Sequence, residues 1–182
     1  MTNNFILDCE TTGLHPIEDR LLCCTIMHAD SDTPQTFYGQ NEKLVLEQIW
    51  VAIEDANIIG FCTGFDMDFL VVRSMVNNVE IKNVDRIIDL RKAINKYDPR
   101  AKGTLRDWAK RLGFTPNTTD GYMMEEFYHK KDWMSIKAHC EEDVKFTKAL
   151  CWRCQECHLF EHWSYGESTE DEEGLMQKWF LN

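Results

Sequence analysis

“FILDCETTGL”, residues 5–14, is a short apolar stretch that runs into two acids. Its first three residues predict a buried strand, since aromatic and branched side chains favour that conformation. Asp8 and Glu10 are two residues apart, so a strand projects both from one face while Cys9 points to the other. Two carboxylates on one face repel unless a cation lies between them, and oxygen ligands of this kind suit Mg²⁺ or Mn²⁺. The alternative is a solvated strand end, because carboxylates are mostly exposed.

Composition limits what kind of protein this is. The chain has 182 residues, is 43% hydrophobic and carries a formal net charge of −11, which fits one globular domain with an ordinary core. No apolar run approaches the roughly 18 residues of a membrane span, and the opening “MTNN” lacks the basic region of a signal peptide. The eight cysteines lie in apolar runs, which predicts reduced thiols and a cytoplasmic location.

Positive charge is concentrated in one segment, Arg91–Arg111. The segment holds eight of the 20 basic residues and two acids, a local net charge of +6. The acidity of the whole chain excludes a broad basic surface, so any contact with a polyanion is expected to be local. A solvated helix and loop face accounts for the same charges equally well at this level.

Hydrophobic periodicity and turn residues predict an α/β domain. The predicted strands are 4–8, 21–27, 35–39, 57–61 and 84–90, and the predicted helices are 41–55, 66–76, 104–113 and one from 133 past 150. Thr104 is a predicted N-cap and Gly113 a predicted C-cap. Early strands followed by alternating helices and strands indicate a mixed central sheet flanked by helices.

Two later segments supply further candidate site residues. Asp66 opens a predicted helix directly after a buried strand, where the helix dipole favours an acid. His139 and Asp143 are four residues apart on the long helix and therefore share a face. Taken singly, Asp66 is an ordinary N-terminal helix acid and His139 a partly buried histidine.

Together these segments resemble the DEDD superfamily of 3′-5′ exonucleases, which includes polymerase proofreading domains and the ribonuclease D group. The matching pieces are “FILDCETTGL”, “GFCTGFDMDFL” and “HCEEDVKFT”, and “GTLRDWAKRLGF” is similar to that family's helix ending in Leu-Gly. The resemblance covers roughly residues 4–155. We therefore expect an exonuclease domain over residues 1–165, with an acidic C-terminal segment, 166–182, that docks back on it.

The resemblance implies a ribonuclease H-like fold in which four acids gather around two divalent ions, Mg²⁺ or Mn²⁺. The implied ligands are Asp8, Glu10, Asp66 and Asp143. Two such ions activate a water and stabilise the leaving 3′ oxygen. The implied reaction is hydrolysis of terminal phosphodiesters at single-stranded 3′ ends, DNA favoured over RNA, releasing nucleoside 5′-monophosphates. The motifs do not determine whether a protein partner takes part.

His139 departs from the family pattern. Relatives carry either a Tyr four positions before the last Asp or a His five positions before it, whereas here His139 has the Tyr spacing and Ala138 the other position. Positions four and five residues away differ by about 100° around a helix. We therefore expect His139 to lie where the tyrosine would and to position the attacking water. A general-base role and a role limited to hydrogen bonding both stay open.

Four further residues are predicted substrate contacts. Matching to the family suggests that Thr11 contacts the terminal nucleotide and that Leu14 wedges against the last base. Thr11 is equally compatible with a turn and Leu14 with the core. Phe65 offers a ring for base stacking, and Arg106, in the basic segment, offers a charge for the phosphate backbone.

Two other functions are compatible with the motifs. One is a nucleic-acid-binding module that kept the fold and has weak or no activity, although the presence of all four acids argues against it. The other is a ribonuclease H-type endonuclease, which the order of the motifs disfavours.

A cysteine cluster near the end of the chain raises the question of zinc. It comprises Cys151, Cys154, Cys157, His158 and His162. One regular helix cannot place four ligands tetrahedrally around one ion, so we expect no structural zinc there.

Overall fold

The computed structural model describes residues 3–97, 103–119 and 121–159. The strands are β1 (Asn4–Thr11), β2 (Leu21–His28), β3 (Gln35–Tyr38), β4 (Asn57–Gly60) and β5 (Arg86–Asp89). The α-helices are α1 (Glu42–Ile53), α2 (Thr63–Asn77), α3 (Leu90–Tyr97), α4 (Leu105–Arg111), α5 (Met124–His129) and α6 (Trp133–Glu156), and a 3-10 turn covers Gly121–Met123. The predicted domain boundary at residue 165 and the segment 166–182 lie outside these ranges.

The five strands form one mixed sheet in the order β3-β2-β1-β4-β5. β1 pairs with β2 antiparallel and with β4 parallel, and β4 pairs with β5 parallel. The short turns after β1 and β2 allow antiparallel neighbours, whereas the return to β4 and then to β5 crosses through helices. The predicted α/β ribonuclease H-like fold, with a mixed sheet flanked by helices, is confirmed.

Alternation along β1 separates the core from the site. Leu7 and Cys9 pack with the apolar residues of α1 and α2, while Ile6 packs with those of α4 and α6 on the other face. Asp8 and Glu10 share parity with Ile6 and therefore face α6. The central strand thus directs its two acids to the layer that carries His139 and Asp143.

The predicted apolar stripe of α6 is buried along its whole length. Its members are Ile136, Cys140, Val144, Thr147, Cys151 and Cys154. Asp132 begins the helix as its N-cap, accepting a hydrogen bond from the backbone N–H of Ser135. This packing fixes the rotation of α6 about its axis and hence the direction in which its catalytic candidates point.

Some local predictions need correction. α3, α5 and the 3-10 turn were not predicted. The helix at 41–55 was predicted partly from the apolar residues Leu44 and Val51, but these are 48% and 69% exposed. Trp50 instead lies in the core, where its indole N–H donates to Ser74 Oγ at 2.7 Å. Apolar residues lie all around α1, so its packing against α2, rather than periodicity, selects the buried face.

The predicted ends of α4 are close to those observed. Thr104 forms a capping box with Asp107, and the helix ends at Arg111 with Leu112 as C-cap. Gly113 follows with φ +90, a left-handed conformation that glycine adopts without strain. Within the described ranges, no helix has both the length and the apolar character needed to cross a membrane.

Candidate active site

The site lies at the edge of the sheet where the parallel strands β1 and β4 end. A tight turn joins β4 to α2, and Gly60 makes it possible. A Cβ at Gly60 would lie 2.4 Å from Thr63 Oγ1 and 2.8 Å from the Leu7 carbonyl oxygen, so no other residue fits there without displacing the backbone. The turn starts α2 at Thr63 and puts Asp66 in its first turn.

Asp66 is tied directly to β1. Its Oδ1 accepts a hydrogen bond from the backbone N–H of Cys9 at 3.1 Å, and the residue is only 4% exposed. Cys9 lies between Asp8 and Glu10 in the chain, so the α2 acid sits against the strand segment that carries both. Asp8 and Glu10 of β1 and Asp66 of α2 therefore lie close together, although two separate elements carry them.

α6 supplies the remaining candidates from the opposite side. His139 is 3% exposed, and its Nε2 lies 3.4 Å from Glu10 Oε1 and 3.7 Å from Asp143 Oδ2. His139 and Asp143 are one helical turn apart, as the sequence predicted. The imidazole therefore lies between the acid of β1 and the acid of its own helix.

Cys140 is a site residue that no sequence pattern marked. Its Sγ donates to the Asp8 carbonyl oxygen at 3.3 Å and lies 3.6 Å from Asp8 Oδ2. Its place in the apolar stripe of α6 indicated packing alone. The contact also places the thiol against the carboxylate of a predicted metal ligand.

Crowding of the carboxylates makes them hard to ionise together. Burial raises the pKa of Asp8 well above its usual value, and the charges of Glu10, Asp66 and Asp143 raise it further. Burial likewise raises the pKa of Glu10, with Asp143 and Asp66 adding to the effect and Arg106 opposing it. Like charges in a low-dielectric site disfavour one another's ionised form.

The other two acids are affected in the same direction. Burial raises the pKa of Asp66, although the Cys9 N–H that it accepts works against the rise. Burial raises the pKa of Asp143 to about 6, with Arg106 lowering it and Glu142 raising it. A divalent cation would relieve this repulsion.

The donor set fits a divalent ion. In the described ranges, two groups have ligand atoms within 4.8 Å of one another: Asp8 with Glu10 and Cys140, and Glu10 with His139 and Asp143. Among the described residues, the buried Oδ1 of Asp143 finds no hydrogen-bond partner, as expected of an oxygen available to a cation. Asp66 belongs to neither group, yet its charge acts on Asp8 and Glu10.

Arg106 points into the protein. Its Nη1 donates to the Asn117 carbonyl oxygen at 2.6 Å, and its Nη2 lies 3.1 Å from both Asn117 Oδ1 and His139 Nδ1. Glu142 Oε2 is 3.8 Å from Nη2 and accepts from the backbone N–H of Asn117. No sequence signal marked Asn117 or Glu142 as part of this arrangement.

The other predicted substrate contacts lie next to the site acids in the chain, at and after the end of β1 and in the first turn of α2. Thr11 ends β1, and its hydroxyl donates to the Gly13 carbonyl oxygen at 2.6 Å. Leu14 is 74% exposed and Phe65, which packs on Phe69, is 38% exposed. Leu14 is therefore not a core residue, and both apolar side chains face solvent.

A buried ion pair holds the loop that presents Leu14. Arg73 of α2 donates twice to Glu42, at 2.8 and 2.7 Å. Its Nη1 donates to the carbonyl oxygens of Pro16 and Ile17 at 3.0 and 3.3 Å. Neither partner was selected from the sequence, because a lone Arg or Glu on a helix usually faces solvent.

Two cysteines of the cluster, Cys151 and Cys154, pack in the core at the end of α6, whereas Cys157 is exposed. Cys151 and Cys154 are buried, and burial raises the pKa of each thiol to about 12. In the part of the chain that the structure describes, neither they nor Cys157 belong to a group with metal-ligand spacing. His162 lies outside that part.

Comparison with known proteins identifies the family. Residues 5–154 match the family described as the RNase_H superfamily. An uncharacterized protein of Methanocaldococcus jannaschii, MJ0365, is 30% identical over 173 residues, which is 86% of this chain and 97% of that protein. The chain belongs to the RNase_H superfamily.

Solved structures share the fold. E. coli exonuclease I in complex with a dT13 oligonucleotide has a TM-score of 0.64 at 16% identity, covering 89% of this chain and 43% of that one. Another exonuclease I structure has a TM-score of 0.65 at 17% identity, with the same coverage. This chain thus spans less than half the length of those enzymes. The match agrees with the ribonuclease H-like fold expected from the motifs.

Proposed function

We propose that this protein is a metal-dependent 3′-5′ exonuclease that shortens single-stranded nucleic acid, DNA in preference to RNA, to nucleoside 5′-monophosphates. The observation that carries the proposal is the convergence of acids from β1, α2 and α6 on one edge of the sheet. The unpartnered Oδ1 of Asp143 and the raised pKa values of all four acids favour a cation there. A core carboxylate cluster without such a ligand would be costly.

Two divalent ions, Mg²⁺ or Mn²⁺, would be held by Asp8, Glu10, Asp66 and Asp143. When bound, they supply activation of a water and charge stabilisation at the leaving oxygen. The protein's own part is to hold the four oxygens in place. The Cys9 N–H positions Asp66 and the Cys140 thiol contacts Asp8, so both acids are oriented before a ligand arrives.

His139 is proposed as a catalytic residue because its Nε2 faces Glu10 and Asp143. In that position the ring can hydrogen-bond a water or phosphate oxygen held between the two acids. Thr11, Leu14 and Phe65 lie around the same edge. Two exposed apolar side chains suit stacking or wedging against unpaired bases, which are accessible in a single strand.

Single-stranded DNA is proposed as substrate for a second reason. Exonuclease I structures of the same fold contain a dT13 or a dA16 oligonucleotide.

The state of the thiols favours a cytoplasmic location, since all eight cysteines are free and all lie in described parts of the chain.

The test uses 5′-labelled single-stranded DNA and RNA of the same sequence, each with Mg²⁺, Mn²⁺ or EDTA. We expect a ladder that shortens from the 3′ end of the DNA with metal and no change in EDTA. The variant Asp8→Asn should bind the DNA without cleaving it. Binding without cleavage by the unmodified protein would favour the inactive module instead.

A circular single-stranded DNA in the same reaction separates the remaining alternative. An exonuclease leaves the circle intact, because it needs an end. Cutting of the circle would instead identify an endonuclease of the ribonuclease H type.

A further inference from the structure

Arg106 joins His139 to a loop that lies far from it in sequence. The Nη2 atom has two hydrogens, and two acceptors lie 3.1 Å from it: Asn117 Oδ1 and His139 Nδ1. The Nη1 bond to the Asn117 carbonyl oxygen, 2.6 Å long, fixes the plane of the guanidinium. Glu142 holds Asn117 from the other side by accepting its backbone N–H. The Arg106 side chain is 16% exposed and His139 is 3% exposed, so the contact between them is largely closed to water, whereas Asn117 is exposed.

The chemistry of these groups determines where the imidazole proton lies. A guanidinium has only donors and stays protonated in proteins. His139 Nδ1 must therefore accept, which requires a lone pair on that nitrogen. A neutral ring with a lone pair on Nδ1 carries its proton on Nε2. That nitrogen is the one that faces Glu10 Oε1 and Asp143 Oδ2, at 3.4 and 3.7 Å, and an ionised carboxylate oxygen accepts a hydrogen bond.

We propose that Arg106 is a positioning residue that holds His139 in the Nε2–H tautomer, so that the ring serves the active site as a hydrogen-bond donor. A ring held in this way cannot take a proton at Nε2. Of the two roles open to His139, orienting an oxygen is therefore assigned and that of general base is not. The role of Arg106 in catalysis rests on the proposed exonuclease function, whereas the tautomer does not.

The tautomer can be read directly by NMR on metal-free protein carrying ¹⁵N-labelled histidine. His139 is assigned by the signals that His139→Gln lacks. In a long-range ¹H–¹⁵N correlation spectrum, we expect Nδ1 at the shift of an unprotonated nitrogen and Nε2 at that of a protonated one. A proton on Nδ1, alone or together with one on Nε2, would overturn the proposal.

Two variants of α4 then test whether Arg106 is the cause. Arg106→Met keeps the length of the side chain but removes its donors, and we expect the two nitrogen shifts of His139 to move toward each other. Lys110→Met removes an exposed charge from the same helix and should leave them unchanged. Identical His139 spectra for Arg106→Met and unmodified protein would refute the assignment, provided that circular dichroism shows both folded.

Kinetics separates positioning from contact with the nucleic acid. If the proposed exonuclease activity is present, Arg106→Met should lower kcat about tenfold or more, as loss of an orienting partner typically does, with KM changed less than twofold. A higher KM at unchanged kcat would overturn the positioning role in favour of phosphate binding. Absence of any nuclease activity would refute the proposed function but leave the NMR result standing.

Discussion

The carboxylate of Asp66 accepts a hydrogen bond from the backbone N–H of Cys9, over a distance of 3.1 Å. The bond joins residues 57 positions apart and fixes α2 against the strand that carries Asp8 and Glu10. Asp66 is thus an acceptor that orders the site, and in the proposed metal site it would also supply a negative charge to the cation.

Substitutions at Asp66 should separate these roles. Asp66→Asn keeps an acceptor oxygen for Cys9 and removes a negative charge from a crowded site, so metal-free stability should be equal or higher. Asp66→Ala leaves the buried N–H unsatisfied and should lower the free energy of unfolding by about 1–3 kcal/mol. Urea denaturation in EDTA measures both. Equal destabilisation by the two variants would show that the hydrogen bond is unimportant.

The pKa of Asp143 predicts how metal-free stability depends on pH. Because its folded-state value is about 6 and its usual value about 3.9, the folded state holds more protons between these values. Stability therefore falls as pH rises through this window, by about 3 kcal/mol at roughly 1.4 kcal/mol per pH unit, and is unaffected by this group below it. Urea denaturation in EDTA from pH 4 to 7 checks the slope. The slope should be shallower for Asp143→Asn, and an unchanged slope would contradict the prediction.

A divalent metal ion should restore the stability that the metal-free protein loses at high pH. At pH 8 few protons compete with the ion for the four acids, and Mg²⁺ at 100 times its Kd should stabilise the fold by about 2.7 kcal/mol. At pH 5, protons on the raised-pKa acids compete with the ion, so the gain in Tm should be much smaller. Thermal melts with MgCl₂, compared with EDTA plus NaCl at equal ionic strength, make the measurement. An equal gain at both pH values would argue against binding at these carboxylates.

Breaking the buried ion pair of Arg73 with Glu42 should strongly destabilise the protein. Arg73→Met leaves Glu42 buried without its partner and should lower the free energy of unfolding by about 3–5 kcal/mol. It should also speed proteolysis at residues 12–20, since Arg73 holds the carbonyl oxygens of Pro16 and Ile17. The matched control is Lys130→Met, which breaks an exposed pair with Glu126 and should cost less than about 1 kcal/mol.

Thiol reactivity should follow burial. In native protein a thiol reagent should modify the exposed Cys157 first and the partly exposed Cys62 more slowly, while the buried cysteines stay unmodified. Cys157→Ser should remove the fast phase, and all eight should react in denaturant. Rapid reaction of Cys151 or Cys154 in the native protein would contradict their placement in the α6 core.

Metal analysis of protein purified without added zinc tests independently whether the cysteine cluster binds zinc.

Much of the fold was predictable because strands, helices and caps leave patterns in short stretches of sequence. Alternation along β1, the 3- and 4-residue stripe of α6 and the Thr104 cap each depend on residues within a turn or two. The rotation of α1 was not predictable, because apolar residues surround that helix and only the partner surface selects among them. Short elements such as α3 and α5 carry too few residues to show a clear period.

The sequence by itself determined the chemistry available: four acids and one histidine, at spacings that put each on a definite face of its strand or helix. Only the tertiary structure decided how these groups act on one another. Cys140 meets Asp8 across 132 positions and Arg106 meets His139 across 33, and packing of whole elements sets such distances. Burial and mutual repulsion, which raise the pKa values of the acids, and the donor that determines the His139 tautomer arise from that proximity, so local pattern contains no record of them.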